Sequence, residues 1–356
     1  MERDIKIITN EAVALLKELI AIPSFSTEEA GTAELLSRFL SERGVAASRV
    51  GNNVWALNRH YDPAKPSLLL NSHHDTVKPN SGYTKHPYLP EEEGDLLYGL
   101  GSNDAGGALV SLIAAFLFFY DRADLAYNLV LGASAEEETS GPGGIETLLR
   151  SLPPIDCAIV GEPTLMQLAV AERGLMVLDC TASGTAGHAA RNEGENAIYI
   201  AHDDIAFLRN HPFHKTSLLL GDVKLTSTVI NTGNKAHNVV PDSCSFVVDV
   251  RVNELYSMEE VLDSLQASMK SQVVPRSMRL RSSSIALSHP LVMAGLALGR
   301  EYYGSPTTSD KALMPFPALK MGPGFSARSH TADEFIHVSE ISEGISLYIQ
   351  LLNQLL

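Results

Sequence analysis

The sequence of 356 residues is poor in cysteine and has no long apolar run. Its three cysteines, Cys157, Cys180 and Cys244, are far apart and form no Cys-x-x-Cys pair. This argues against a disulfide framework or a thiolate zinc site and is typical of a reducing compartment, so we expect a cytoplasmic protein. The most apolar stretch, 108–120, is too short to span a bilayer and predicts a buried helix. The first residues, MERDIKIITNEA, lack the apolar region of a secretory signal.

Basic residues are also scarce. There are 27 Lys and Arg against 42 Asp and Glu, a net charge of −15. This balance argues against nucleic acid and against an anionic membrane surface as partners. The remaining composition, 45% hydrophobic and 19% charged, is that of a globular protein, and the length suffices for two domains.

The outer parts of the chain alternate helical patterns with short apolar runs. A capping box at 26–29 predicts the start of one helix, and Gly44 predicts its end. Together these patterns predict an α/β domain around a mixed, mostly parallel sheet flanked by helices. The runs that predict its buried strands are 67–72, 128–134, 157–161 and 318–322.

The middle of the chain follows another plan. Its patterns predict the order βαββαβ, which is that of a ferredoxin-like α+β domain. The strands are predicted at 174–183, 223–231, 244–252 and 278–283, and the helices at 195–210 and 258–271. We therefore expect a catalytic domain formed by 1–169 and 283–356, with the α+β domain, 170–282, inserted between them.

Acids and histidines follow the predicted strands of the catalytic domain. In open α/β sheets, ligands bind beyond the carboxyl ends of the strands. A glycine-rich turn, Gly99-Leu-Gly-Ser-Asn-Asp104, also opens the apolar helix. The residues that follow the four strands are His73, His74, Asp75, Glu136, Glu137, Glu138, Glu162 and, after a longer loop, His330.

Nitrogen and oxygen ligands without sulfur favour a divalent metal site. Zinc is the first choice, although cobalt, manganese or nickel suits the same ligands. A lone carboxylate such as Asp104 could bridge two metals, which together activate a water molecule and polarise a carbonyl. The adjacent Glu137 and Glu138 allow one glutamate to bind metal while the other stays free as a base.

Five segments, in this order and spacing, resemble a known family. It is the M20 metallopeptidase family of acetylornithine deacetylase, succinyl-diaminopimelate desuccinylase, aminoacylase-1 and carboxypeptidase G2, and the resemblance covers nearly the whole chain. Each segment alone is a weak signal, whereas the ordered set is specific. The segments are Ser72-His-His-Asp-Thr-Val77, Gly99-x-Gly-x-x-Asp104, Glu137-Glu138-Thr-Ser, Gly161-Glu-Pro163 and Ser329-His330.

The resemblance implies a metal-ligand set. His73 and Glu162 would bind one Zn²⁺, Glu138 and His330 would bind the other, and Asp104 would bridge them. Co²⁺ is a possible substitute for zinc.

The resemblance also implies catalytic roles. Asp75 would orient His73, and Glu137 would carry a proton from water to the leaving nitrogen. We interpret His74 and Glu136 as structural.

The inserted domain resembles the family's lid and dimerisation domain, which implies a homodimer. His188, in Gly184-Thr-Ala-Gly-His188, resembles the histidine that stabilises the oxyanion, in relatives from the partner subunit. Arg251 resembles the arginine that holds the substrate carboxylate. Arg173 and Asn238 are further candidates for the same pocket.

Two positions depart from the family pattern. The family's Met-Lys-Gly after the bridging aspartate is replaced by Ala105-Gly106-Gly107, which leaves open whether the unusual cis peptide there is kept. Lys78 comes between Thr-Val and Pro79, where the family has proline directly. Neither change removes a metal-binding atom.

The predicted function is hydrolysis of a small N-acyl amino acid. The Glu-Glu-Thr-Ser-Gly segment and Gly322-Pro-Gly324 look closest to the acetylornithine deacetylase branch, which implies N-acetyl- or N-succinyl-ornithine or citrulline and arginine biosynthesis. Alternatives within the family are a succinyl-diaminopimelate desuccinylase and a dipeptidase or aminoacylase. Alternatives outside it are a two-metal phosphoesterase, which the lack of a Lys/Arg cluster near the motifs disfavours, and an inactive metal-binding protein, which Glu137 disfavours.

Overall fold

The chain divides into two compact units. A computed structural model describes residues 2–191, 193–211 and 213–356. The first unit runs to Val170 and continues over Ile285–Tyr303 and Ser309–Leu356, and the second comprises Ala171–Ser284 and Gly304–Thr308. The short segment 304–308, which we expected in the catalytic part, thus groups with the second unit.

Eight helices and eighteen strands are formed by the described residues. The helices are α1 (Glu2–Ile20), α2 (Ala30–Glu42), α3 (Gly107–Phe119), α4 (Ile145–Leu149), α5 (Ala197–Asn210), α6 (Met258–Ser268), α7 (Pro290–Ala297) and α8 (Val338–Asn353). The strands are β1 (Ala47–Val50), β2 (Asn53–Leu57), β3 (Ser67–His73), β4 (Glu91–Glu93), β5 (Leu96–Tyr98), β6 (Asn128–Ser134), β7 (Cys157–Val160), β8 (Leu168–Glu172), β9 (Gly174–Ser183), β10 (Gly187–His188), β11 (Lys224–Asn231), β12 (Val239–Val240), β13 (Ser243–Val252), β14 (Gln272–Pro275), β15 (Ser283–Ser284), β16 (Tyr302–Ser305), β17 (Ala318–Lys320) and β18 (Phe335–His337).

The first unit is organised around a sheet with the strand order β1-β2-β6-β3-β7-β17-β8. The four central strands, β6, β3, β7 and β17, run parallel, while β2 and β8 pair with them antiparallel. Every residue of β3 and β6 is buried, as the continuous apolar runs predicted. The predicted mixed, mostly parallel sheet with flanking helices is therefore confirmed.

Helix α3 lies in the interior of the first unit, where it contacts α1, α8 and β3. The run Ser102–Phe119, 18 residues, is long and apolar enough by composition to cross a membrane, but 78% of it is buried within the protein. The buried helix predicted here is observed. The sequence analysis judged the apolar stretch too short to span a bilayer. That argument was wrong, because the turn before α3 extends the apolar run to 18 residues.

The second unit contains a four-stranded antiparallel sheet in the order β11-β13-β9-β14. With α5 and α6 the chain order is βαββαβ, which confirms the ferredoxin-like plan. The last strand, however, is Gln272–Pro275 and not 278–283. Helix α6 ends early because the buried Asp204 carboxylate accepts the main-chain N–H groups of Lys270 and Ser271, at 3.1 and 2.8 Å.

The burial of α3 predicts different effects at two adjacent phenylalanines. Phe119 is fully buried, whereas Phe118 is 40% exposed and packs its ring edge against Phe119. We expect Phe119→Ala to lower the free energy of unfolding by about 3–5 kcal/mol. The matched control Phe118→Ala should lower it by only about 1 kcal/mol. Urea denaturation measures both, and equal losses would contradict the assignment of α3 to the core.

Candidate metal centre

The predicted ligands meet at one edge of the central sheet because the strands that carry them are parallel neighbours. His73, the last residue of β3, pairs in register with Ser134 at the end of β6. Asn71 of β3 pairs with Val160 of β7, which lies opposite Lys320 of β17. The loops after all four strands therefore begin at the same edge.

Asp104 lies between the two predicted histidine ligands. Its Oδ1 is 3.3 Å from His73 Nε2, and its Oδ2 is 3.7 Å from His330 Nε2. Each histidine also faces a glutamate: Glu162 Oε1 is 3.7 Å from His73 Nε2, and Glu138 Oε2 is 3.0 Å from His330 Nε2. The five predicted ligands thus form two groups that share one carboxylate.

Both adjacent glutamates point into this cluster. Ligand atoms of His73, Asp104 and Glu138 lie within 4.8 Å of one another, as do those of His73, Glu137 and Glu162. Glu137 therefore stands beside the pair His73 and Glu162, and Glu138 stands beside His330. The two side chains face different parts of the cluster, as their adjacency on a turn requires.

Asp75 holds three members of the cluster. Its Oδ1 and Oδ2 accept the main-chain N–H groups of Glu137 and Glu138, at 3.0 and 3.1 Å. His73 Nδ1 lies 3.4 Å from Asp75 Oδ1 and 3.0 Å from the Asp75 carbonyl oxygen. The Ser26 hydroxyl donates to Oδ2 at 2.7 Å. Ser26 therefore does not cap α2, which begins only at Ala30 with Glu29 before it.

The turn that carries Asp104 is held by an acid that the sequence analysis missed. Glu334 is 1% exposed, and its carboxylate accepts the N–H groups of Gly101, Asn103 and Asp104, each at 2.9 Å. Gly101 has a φ of 76°, which explains the glycine there. The peptide bond after Asp104 is cis, so the feature that the sequence left open is present. The sequence marked Glu334 only as an acidic residue four positions after His330.

Two further buried acids were also missed. Asp310 accepts hydrogen bonds from Asn71 Nδ2 and the Ser134 hydroxyl, at 2.9 and 2.5 Å, at the carboxyl ends of β3 and β6. Glu29 accepts the N–H group of Glu136 at 3.1 Å. Asp310 lies in no recognisable motif, and Glu29 was marked only as the last residue of the predicted capping box at 26–29.

Electrostatics at the cluster favours a cation. Burial raises the pKa of Glu137 well above its ordinary value, and the nearby Glu162 and Asp310 raise it further. Burial also raises the pKa of Glu138. The hydrogen bond to Glu138 raises the pKa of His330 to about 9. Crowded, buried carboxylates beside two imidazoles, with no sulfur, fit a pair of divalent ions with nitrogen and oxygen ligands.

His74 and Glu136 have structural partners, as expected. The His74 ring nitrogens lie 2.9 Å from the Thr32 hydroxyl and 3.0 Å from the Asn52 carbonyl oxygen. Glu136 Oε2 accepts the N–H group of Gly143 at 3.0 Å.

The other predicted site residues belong to the second unit. His188 and Asn238 are exposed neighbours on a short ribbon in which His188 pairs with Val239. Arg251 forms a two-pronged ion pair with Asp249, at 2.8 and 3.1 Å. Arg173 is 7% exposed and donates to the carbonyl oxygens of Leu220 and Asp222, so its guanidinium already has partners within this unit.

The sequence is similar to known proteins of one family. Residues 69–354 match the family model described as Peptidase family M20/M25/M40. A succinyl-diaminopimelate desuccinylase from Stenotrophomonas maltophilia is 26% identical over 367 residues, which cover 95% of this chain and 97% of the relative. Succinyl-diaminopimelate desuccinylase 2 from a Ruegeria species is 25% identical and covers 71% of this chain and 68% of its own length.

Solved structures share the fold over nearly the whole chain. The aminopeptidase PepT from Bacillus cereus has a TM-score of 0.78 at 17% identity and covers 98% of both chains. The Bacillus subtilis YXEP protein, a dinuclear metal-binding peptidase, has a TM-score of 0.75 at 16% identity, also with 98% coverage of both chains. The family model spans most of the sequence, including all five predicted metal ligands. The chain therefore belongs to peptidase family M20/M25/M40 and is a metal-dependent amidohydrolase.

Proposed function

We propose that the chain hydrolyses the amide bond of an N-acyl amino acid with two divalent ions. His73 and Glu162 would hold one ion, Glu138 and His330 the other, and Asp104 both. The observation that carries this proposal is the placement of the two Asp104 oxygens, which face different histidines. Zinc suits these ligands best, and cobalt is a possible substitute. When bound, such a pair activates water and polarises the substrate carbonyl.

The protein's own residues then move the proton and keep the geometry. Glu137, beside His73 and Glu162, would take a proton from the attacking water and pass it to the leaving nitrogen. Burial raises its pKa, which suits a group that must first accept and then donate a proton. Asp75 would position Glu137 through the main chain, not by touching substrate.

The comparisons alter the expected substrate. The curated relatives reported above are named succinyl-diaminopimelate desuccinylases, and they do not support the expected acetylornithine deacetylase or its place in arginine biosynthesis. We therefore propose an N-succinyl amino acid as substrate, with N-succinyl-diaminopimelate as the first candidate. The family membership also favours amide over phosphoester hydrolysis.

Residues of the second unit complete the proposal. Arg251 would bind the substrate α-carboxylate, in exchange for its present partner Asp249. His188 would stabilise the oxyanion, and the neighbouring Asn238 would assist in binding. Arg173 has the weakest case because main-chain carbonyls already accept its hydrogen bonds.

We also propose a cytoplasmic location and a small-molecule substrate. The three cysteines are free and buried, which suits a reducing cytoplasm. The net charge of −15 favours small-molecule substrates over nucleic acid or membrane partners.

The first test of this function is metal dependence over a substrate panel. The proposed hydrolysis requires the ions that the five ligand side chains would bind. We therefore expect chelation to abolish hydrolysis and added zinc or cobalt to restore it. The panel comprises N-succinyl-diaminopimelate, N-acetyl- and N-succinyl-ornithine, the corresponding citrullines, a dipeptide and a phosphomonoester. We expect N-succinyl-diaminopimelate to be cleaved fastest and the phosphomonoester not at all. Full activity in protein shown to be free of metal would refute the proposal.

The two adjacent glutamates should respond differently to the same change. Glu137→Gln keeps shape and hydrogen bonding but removes the base, so kcat should fall by ~10²–10⁴ while metal content stays intact. Glu138→Gln should instead lose metal on dialysis because its Oε2 faces His330 as a ligand. Steady-state kinetics and elemental analysis distinguish these outcomes. The reverse pattern would exchange the two roles.

The exposed edge of the second unit supports the expected homodimer. Strand β11 lies at one edge of its sheet, and seven of its eight residues are exposed. Val229 and Ile230 are 54% and 57% exposed, and successive side chains on a strand point to opposite faces. An exposed edge strand that carries such apolar side chains invites pairing with a second copy across a two-fold axis.

We expect a dimer in sedimentation velocity at micromolar concentration. Replacing both Val229 and Ile230 with lysine should produce a monomer, because charges on the edge prevent strand pairing. Val274→Lys, on the opposite edge strand β14 and 48% exposed, is the matched control and should remain dimeric. A monomeric wild-type protein would remove the proposed role of His188 across subunits.

A further inference from the structure

A cavity of about 180 Å³ adjoins His330, one of the proposed metal ligands. Its walls include Lys78 and Tyr83 together with the apolar side chains of Val77 and Leu100. A single water needs only about 10–15 Å³ of such volume, so the cavity has room for a short chain of atoms. No role proposed above uses this space.

Lys78 supplies an available cation at this cavity. Its ammonium lies 5.5 Å from the centre of the Phe25 ring, within reach of a cation–π contact. It forms no hydrogen bond or ion pair with any residue in the described ranges. The next lysine along the chain differs, because Lys85 is paired with Glu91 and Glu93 at 2.9 and 2.6 Å. Lys78 is also the residue that interrupts the family pattern before Pro79.

Apolar side chains form another part of the cavity wall. Val77 and Leu100 provide apolar surface of the kind that methylene groups contact.

We propose that this cavity binds the carboxylate-terminated tail of the acyl group, with Lys78 pairing with the terminal carboxylate. The methylene groups of a dicarboxylic acyl chain would lie against Val77 and Leu100. The inference rests on the proposed function and narrows it, because an acyl group bound beside His330 lies next to the amide that is cleaved. It assigns the preference for succinyl over acetyl to this chain's own departure from the family pattern.

The subsite can be tested without turnover. Calorimetry on the metal-loaded protein compares succinate with butyrate, which has the same chain length but lacks the second carboxylate. We expect Lys78→Met to weaken succinate binding about 10- to 100-fold, the range for one hydrogen bond to a charged group, and to leave butyrate unchanged. Lys78→Arg should retain most of the affinity. Lys6→Met, an equal change of charge at an exposed position on α1, should have no effect.

Kinetics with one amino acid carrying either a succinyl or a butyryl group completes the test. Lys78→Met should lower kcat/KM for the succinyl substrate by a similar factor and leave the butyryl substrate unchanged. Equal succinate binding by wild type and Lys78→Met, or equal losses for both acyl groups, would overturn the subsite. If neither substrate is cleaved while Lys78 still discriminates succinate from butyrate, the subsite stands and the proposed function fails.

Discussion

The carboxylate of Asp75 joins the end of β3 to the loop that follows β6. It accepts the N–H groups of Glu137 and Glu138 and lies beside His73, so one buried group sets the positions of the proposed base and of two proposed ligands. A buried carboxylate is tolerated only when hydrogen bonds replace its lost water, and Asp75 has them from the main chain and from Ser26. A substitution at Asp75 therefore alters the positions of all three side chains together.

Glu334 plays a similar part at the turn that carries Asp104. Three main-chain N–H groups of the turn before α3 converge on its carboxylate, and this fixes the position from which Asp104 faces both histidines. Asp310 accepts hydrogen bonds from Asn71 and Ser134 and so links the carboxyl-terminal parts of β3 and β6. The side chains of the proposed ligands are thus positioned by acids that are not themselves proposed as ligands.

The sequence predicted the proposed ligands but not these supports, for a physical reason. His73 and Glu162 directly follow buried apolar runs that predict strands. Because parallel strands end at the same edge of a sheet, these local patterns are enough to place both residues at that edge. Glu334 and Asp310 contact partners about 230 and 239 residues away, and no local periodicity encodes such a contact. The last strand of the second unit was misplaced for a similar reason, because the end of α6 depends on the distant Asp204.

The crowding of buried carboxylates has a consequence for thermodynamic linkage. In the folded chain Glu137 and Glu138 lose water and repel each other, whereas in the unfolded chain they are hydrated and apart. A cation that binds only the folded form adds to its stability in proportion to the logarithm of its free concentration above Kd. A divalent ion held by the proposed ligands would therefore raise the free energy of unfolding, and the folded fraction would report the free metal concentration even when no substrate is present.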